Sequence, residues 1–167
     1  IGEEPVILDM SLTEKSVQNL RTYLQTRGYF DSEVSYTVDT TRRAHRAEVT
    51  YTIHQGAPLR IDSLEYSVID KSLEPLIYAD TANCLLQRGD VMDITRLDAE
   101  RERIAASLNN RGYFDFTVNN ISYEVDTLSG NDNANVEMII RPTLAGYNER
   151  GVPQWEDNAV YRISRIN

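Results

Sequence analysis

The side chains best suited to covalent or metal chemistry are scarce: one cysteine, Cys84, and two histidines, His45 and His54. A lone thiol cannot close an intramolecular disulfide or build a multi-cysteine metal site. His54 ends an alternating Val-Thr-Tyr-Thr-Ile run beside Gly56-Ala-Pro58, and His45 lies in a polar hairpin tip. Neither has a carboxylate or thiol at ligand spacing, so neither reads as a metal ligand. Cys84, inside Ala82-Asn-Cys-Leu-Leu86, reads as a small residue at or near a core. Arg88-Gly-Asp90 spells an adhesion tripeptide but reads as a turn between helices. No nucleophile with its base, no phosphate-cradling glycine loop and no metal constellation can be assembled, so no enzyme activity, cofactor or metal is expected. What remains is noncovalent chemistry, made by main-chain hydrogen bonds and apolar faces.

Charge narrows the partners. Seventeen Lys and Arg against 26 Asp and Glu leave a net charge of -9, and no segment is basic enough to hold a nucleic-acid backbone. At 41% hydrophobic and 26% charged residues the composition is that of an ordinary globular protein. No apolar run reaches the length of a membrane helix. The opening Ile-Gly-Glu-Glu-Pro-Val has neither a basic nor a long apolar stretch, so any targeting peptide is expected to be already removed or to lie outside these residues.

The elements that position these residues repeat. Leu24 to Asp31 reads LQTRGYFD and Leu108 to Asp115, 84 positions later, reads LNNRGYFD. At the same shift Asp9 meets Asp93, Ser11 meets Thr95, Glu14 meets Asp98 and Leu20 meets Ile104. After a three-residue insertion Tyr36-Thr-Val-Asp-Thr meets Tyr123-Glu-Val-Asp-Thr, and Val49, Tyr51 and Ile53 meet Val136, Met138 and Ile140. A third echo pairs Arg60-Ile-Asp-Ser-Leu-Glu with Arg162-Ile-Ser-Arg-Ile-Asn, across a polar stretch from Ala145 to Asn158 that reads as a loop or linker. The expected division is 1–58, a unit lacking its first strand and helix; 59–145, a complete unit; and 146–167, a linker with the opening strand of a third.

Within the complete unit, Leu64, Tyr66 and Val68 alternate on one face of a strand. Leu73, Leu76 and Ile77 follow at helical spacing, with Pro75 in the first turn where its missing amide costs nothing. A longer second helix starts at a capping box, Thr95 with Asp98, matched by Ser11 with Glu14 in the first unit. Its apolar positions Leu97, Ile104 and Leu108 recur on one face, while Glu100, Arg101, Glu102 and Arg103 read as a mostly solvated surface. Gly28 and Gly112 close these helices in the left-handed conformation, and the following pairs Tyr29-Phe30 and Tyr113-Phe114 are expected to fold back and plug the cores. Two hairpins complete the units, with polar tips at 40–46 and 127–135. Helices must then cover one face of a small sheet, an α+β class.

This order, strand-helix-helix-strand-strand, with the two RGYFD turns in register, resembles the POTRA (polypeptide-transport-associated) domain. The chain is similar to tandem POTRA repeats from the periplasmic part of a BamA/TamA-type outer-membrane assembly or translocation factor. The resemblance implies two helices on one face of a three-stranded mixed sheet in each unit. It also implies a binding module that adds an incoming strand to the edge of the second strand. The edge residues are then Glu33, Val34, Ser35, Tyr36 and Thr37 in the first unit and Asn120, Ile121, Ser122, Tyr123 and Glu124 in the second. Ser35, Thr37, Ser122 and Glu124 point outward as a managed polar edge. A proline at Thr37 or Ser122 is expected to remove a ladder donor. The implied partners are unfolded outer-membrane precursors, periplasmic or lipoprotein accessory subunits, and a C-terminal β-barrel of the same protein. Alternatives within the fold are a two-partner secretion transporter and a structural spacer.

Overall fold

An aspartate starts each long helix. In the computed structural model, which describes residues 7–41, 46–127, 132–162 and 164–165, Asp9 precedes the helix Met10–Thr26 and Asp93 precedes Ile94–Asn109. Each carboxylate accepts the amide two residues on, from Ser11 and Thr95, both at 2.8 Å. Each also accepts the hydroxyl of that residue, at 2.7 and 2.6 Å. The expected caps, Ser11 and Thr95, therefore sit inside the first turn as donors to the actual ones. A carboxylate is the stronger acceptor and meets the positive end of the helix dipole, so it takes the position. Asp98 turns instead to Arg101, 2.9 Å away.

The chain divides between Leu59 and Arg60 into two compact units. In the first, α1 (Met10–Thr26) is followed by β1 (Glu33–Asp39) and β2 (Glu48–His54), an antiparallel pair in register from Glu33 opposite His54 to Asp39 opposite Glu48. Val17 and Leu24 of α1 bury against Val34 of β1, with Leu20, Tyr29 and Tyr36 packed around them. His45, like Pro5 and the tip of this hairpin, lies outside the described residues.

The second unit runs β3 (Arg60–Val68), α2 (Glu74–Asp80), α3 (Ile94–Asn109), β4 (Ile121–Thr127) and β5 (Asn133–Ile140). Its sheet is mixed, in the order β3-β5-β4, with β3 parallel and β4 antiparallel to the central β5. Ala134, Val136, Met138 and Ile140 of β5 are buried together with Leu73, Ile77, Leu97, Ile104 and Leu108 of the helical side. Pro75 falls in the first turn of α2 as expected. In the first unit, Tyr51 and Ile53 at the positions of Met138 and Ile140 are exposed. Among its described residues no strand stands where β3 does.

Three expectations are corrected in the second unit. Phe114 does not plug the core: it is 74% exposed, and Phe116, two residues on, is 1% exposed. The tight turn after Gly112 uses up two residues before the chain points inward, and Asn109 Nδ2 then fixes Phe116 by its carbonyl at 2.9 Å. The run Glu100 to Arg103 is not all solvated either. Glu100 is fully buried, accepts the amide of Leu85 at 3.0 Å, and is neutralised by both arms of Arg103 at 2.8 and 2.9 Å; Arg103 also binds Asp80 at 2.6 Å. Finally, the polar stretch after Pro142 is not an irregular linker. It forms an antiparallel hairpin of β6 (Thr143–Tyr147) and β7 (Pro153–Glu156). The foot of that hairpin is tied to the body of the unit through buried Asp70, whose carboxylate accepts the amide and side chain of Asn158, both at 2.8 Å. Asn158 also takes the hydroxyl of Thr143 at 2.6 Å. Ile163, Ile166 and Asn167 of the expected third opening strand lie outside the described residues.

Candidate partner-binding edges

The outer edge of β4 is set by which amides its neighbour uses. Arg141 donates its amide to Asn120 at 2.8 Å, directly across the β4–β5 register. Antiparallel ladders alternate, so Ser122, Glu124 and Asp126 turn their main-chain groups inward to Ile139, Glu137 and Asn135. The parallel side agrees, since Ile140 accepts from Ile69 and therefore faces β3. The amides and carbonyls left for the open edge are those of Tyr123 and Val125. A proline at Ser122 thus breaks the β4–β5 ladder rather than the free edge, and the informative position is Val125.

Side chains along this strand divide by face. Ile121 is buried, and Tyr123 reaches the helical layer, its hydroxyl donating to the Leu97 carbonyl at 3.1 Å. Burial first, and then the Glu100 carboxylate, push the Tyr123 pKa up, so the phenol stays a donor. Ser122 lies on the other face beside the Arg141 guanidinium, and Glu124 is exposed there. Asn120 is not an edge residue. It closes the 3-10 turn Val118–Asn120, is buried, and donates to the carbonyls of Arg141 and Pro142 at 3.3 and 3.1 Å. In β1 the same division holds: Val34 is buried, Tyr36 packs beside it, and Glu33, Ser35 and Thr37 are exposed.

The residues flanking each edge hold it in place. Gly28 and Gly112 have φ of 89° and 96°, the left-handed region that glycine enters without steric cost. Tyr29 and Tyr113 donate back to Leu24 and Leu108 at 2.9 and 3.1 Å, and each glycine donates to the carbonyl three residues before it, the Schellman closure. Tyr29 and Tyr113 are half-buried, whereas Phe30, like Phe114, is exposed. Each glycine carbonyl then accepts a later amide of its own unit, Leu59 on Gly28 and Tyr161 on Gly112, both at 2.8 Å.

The family model for POTRA, described as "Surface antigen variable number repeat", matches residues 3–56 and 67–143. The chain belongs to the POTRA family. Among solved structures it is similar to BamA from Haemophilus ducreyi lacking POTRA domains 1-3, at 12% identity and a TM-score of 0.48, over 86% of this chain and 25% of that one. It is similar also to POTRA3-5 of Haemophilus influenzae BamA, at 20% identity and 0.46, over 81% and 52%. The N-terminal domain of Omp85 from the cyanobacterium Thermosynechococcus elongatus follows at 15% and 0.39, over 80% and 53%. The chain thus spans between a quarter and about half of these chains. No curated protein matches the sequence.

One feature of the second POTRA unit escaped the sequence reading. On the sheet face away from the helices, Glu65, Glu137 and Glu124 stand opposite one another across all three strands, with Asp126 and Asn135 in the next row. They line an open groove with Ser63. Like charges directly opposite cost stability, and among the described residues no group of side chains there could hold a metal ion. The signal was available: writing the three alternating strands side by side puts the glutamates in one row. Burial raises the Cys84 thiol pKa, which favours the neutral thiol.

Proposed function

We propose that this POTRA pair is a non-enzymatic docking module in the periplasmic part of an outer-membrane β-barrel assembly or translocation protein. It binds extended segments of unfolded precursors or of accessory subunits by strand addition. The observation that carries the reading is the open edge of β4. The amides of Tyr123 and Val125 face outward from a strand whose other side is paired to β5 and whose Ile121 is buried and Tyr123 bonded to the helical layer. Such an edge offers the ladder that an incoming strand completes, and main-chain pairing accepts many side-chain sequences, as a client range of varied unfolded barrels requires. The family membership supports the setting, and β1 offers a second edge.

Val125→Pro tests it, because proline is tolerated on an edge strand when its missing amide faces solvent. Binding of an outer-membrane β-strand peptide to the 167-residue chain, followed by amide chemical shifts, should perturb Tyr123 and Val125, and Val125→Pro should weaken it about tenfold. A folded Val125→Pro chain that binds as tightly as the parent would refute the edge.

A further inference from the structure

Resting on the strand-addition reading, we propose that the β4 edge selects its guest: an extended segment carrying Lys or Arg opposite Glu124 and apolar residues at the alternating positions beside Tyr123 and Val125. The row Glu65–Glu137–Glu124 runs perpendicular to the strands from β3 to β4, and at its β4 end it stands beside the outward main-chain groups of Tyr123 and Val125. A strand added to β4 supplies the fourth position of that row, with its Cβ about 5 Å from that of Glu124. A guest carboxylate lengthens a run of like charges there, and a guest cation ends it. Basic side chains on or beside the sheet's own strands have other partners: Arg88 on Asp62 at 2.8 Å, Arg60 on the Gly89 carbonyl at 2.8 Å, and Arg141 beside Ser122. The carboxylates alone do not define a site. The unpaired amides of Tyr123 and Val125 give the position and direction that turn a charged face into a register-specific one.

The first unit supplies a contrast. At the positions aligned with Glu124 and Glu137 it has Thr37 and Thr50, which face each other across β1 and β2. Its edge is neutral at the row where the second unit is acidic, so the charge preference belongs to β4.

The test uses the full chain and three capped nine-residue peptides of alternating Thr and Val, identical except for Lys, Gln or Glu at the central Thr position. Affinities are read at 50 and 500 mM salt from the amide shifts of Tyr123 and Val125, and from Tyr123 alone in Val125→Pro, where position 125 has no amide. The Lys peptide should bind about threefold to fivefold more tightly than the Gln peptide, and the Glu peptide more weakly by a similar factor. The spread should shrink at 500 mM salt. Glu124→Lys should reverse the order, and Val125→Pro should weaken all three. Equal affinities at β4 overturn the selectivity and leave strand addition standing. No shift at Tyr123 or Val125 with any peptide overturns both. A Lys peptide that binds Val125→Pro as well as the parent also overturns the proposal, because charge on the sheet face would then hold it without the edge.

Discussion

Replacing Phe116 by alanine, beside the same change at Phe114, separates the motif aromatic from the structural one. Phe116 is 1% exposed and its carbonyl is held by Asn109 at the end of α3, so its removal loses the transfer free energy of a whole ring and leaves a cavity that close-packed neighbours do not fill. Core Phe→Ala changes cost about 3–5 kcal/mol. Phe114 keeps an edge-on contact with Tyr161, ring centroids 6.4 Å apart, but is mostly in water, so its loss should cost about 1 kcal/mol or less. Urea unfolding followed by tryptophan fluorescence reads the second unit selectively, because the single tryptophan, Trp155, lies in β7. With an m-value near 2 kcal/mol/M, Phe116→Ala should lower the midpoint by about 2 M and Phe114→Ala by about 0.5 M or less. Equal shifts, or a larger one at Phe114, would refute the placement of the core.

Gly112→Ala forces φ of 96° on an L residue and sets a Cβ 3.0 Å from Val160 Cγ1 and 3.1 Å from the Tyr161 carbonyl oxygen, so it should cost about 2 kcal/mol or more. Gly89→Ala, with φ of 89° but open space, should cost about 1 kcal/mol, and the two melting temperatures check the difference. For Asp70, burial opposes ionisation, but hydrogen bonds from Ser72 and Asn158 outweigh it and hold the carboxyl below its usual range. Its contribution is therefore complete above the unfolded pKa of about 3.9 and lost as pH falls through the lower folded value. Asp70→Asn should cost about 2 kcal/mol at pH 7, with the gap to the parent closing below about pH 4 in urea titrations. Glu137→Thr removes the centre of the glutamate row and should stabilise the second unit by about 0.5–1 kcal/mol at low salt; a gain that persists in 1 M salt would not be electrostatic.

What could be read in advance followed from local rules. The left-handed Gly28 and Gly112, the Pro75 position and the alternation of Tyr123 and Val125 depend on a few consecutive residues and an apolar period, and the fold class followed from their order. The repeat shows the glycine closure and the strand alternation twice, at Gly28 and Gly112 and at Tyr36-Val38 and Tyr123-Val125. The misses are long-range or competitive. Ser11 and Thr95 are good caps, yet an aspartate two residues earlier is better placed, and propensity alone does not rank them. Glu100 and Arg103 lie on a helix side that looks solvated until the segment carrying Leu85 is laid across it. Asp70 and Asn158 are 88 residues apart, and no local pattern announces their bond. Phe116 was hidden by the conspicuous Tyr-Phe pair before it, because a tight turn changes which residue next points inward.

The two units make the binding argument sharper than either alone. Ser122, Tyr123 and Asp126 have the same residue types as Ser35, Tyr36 and Asp39, so the edge strand keeps its packing and its polar outer face. Two of the changes, Thr37 to Glu124 and Thr50 to Glu137, fall on the face away from the helices, where packing does not require them. Threonine at a strand position is better for the sheet than glutamate, both by propensity and by the absence of repulsion. A third glutamate from β3, Glu65, joins the same row. Local stability therefore favours the neutral version that the first unit has, and the acidic version gains only if positive charge is brought to it. Among the described residues no ion pair neutralises Glu65, Glu124 or Glu137, so the row keeps its negative charge for an incoming cation. No strand closes the row past Glu124, and it is at that end that the main-chain groups of Tyr123 and Val125 stand open beside it.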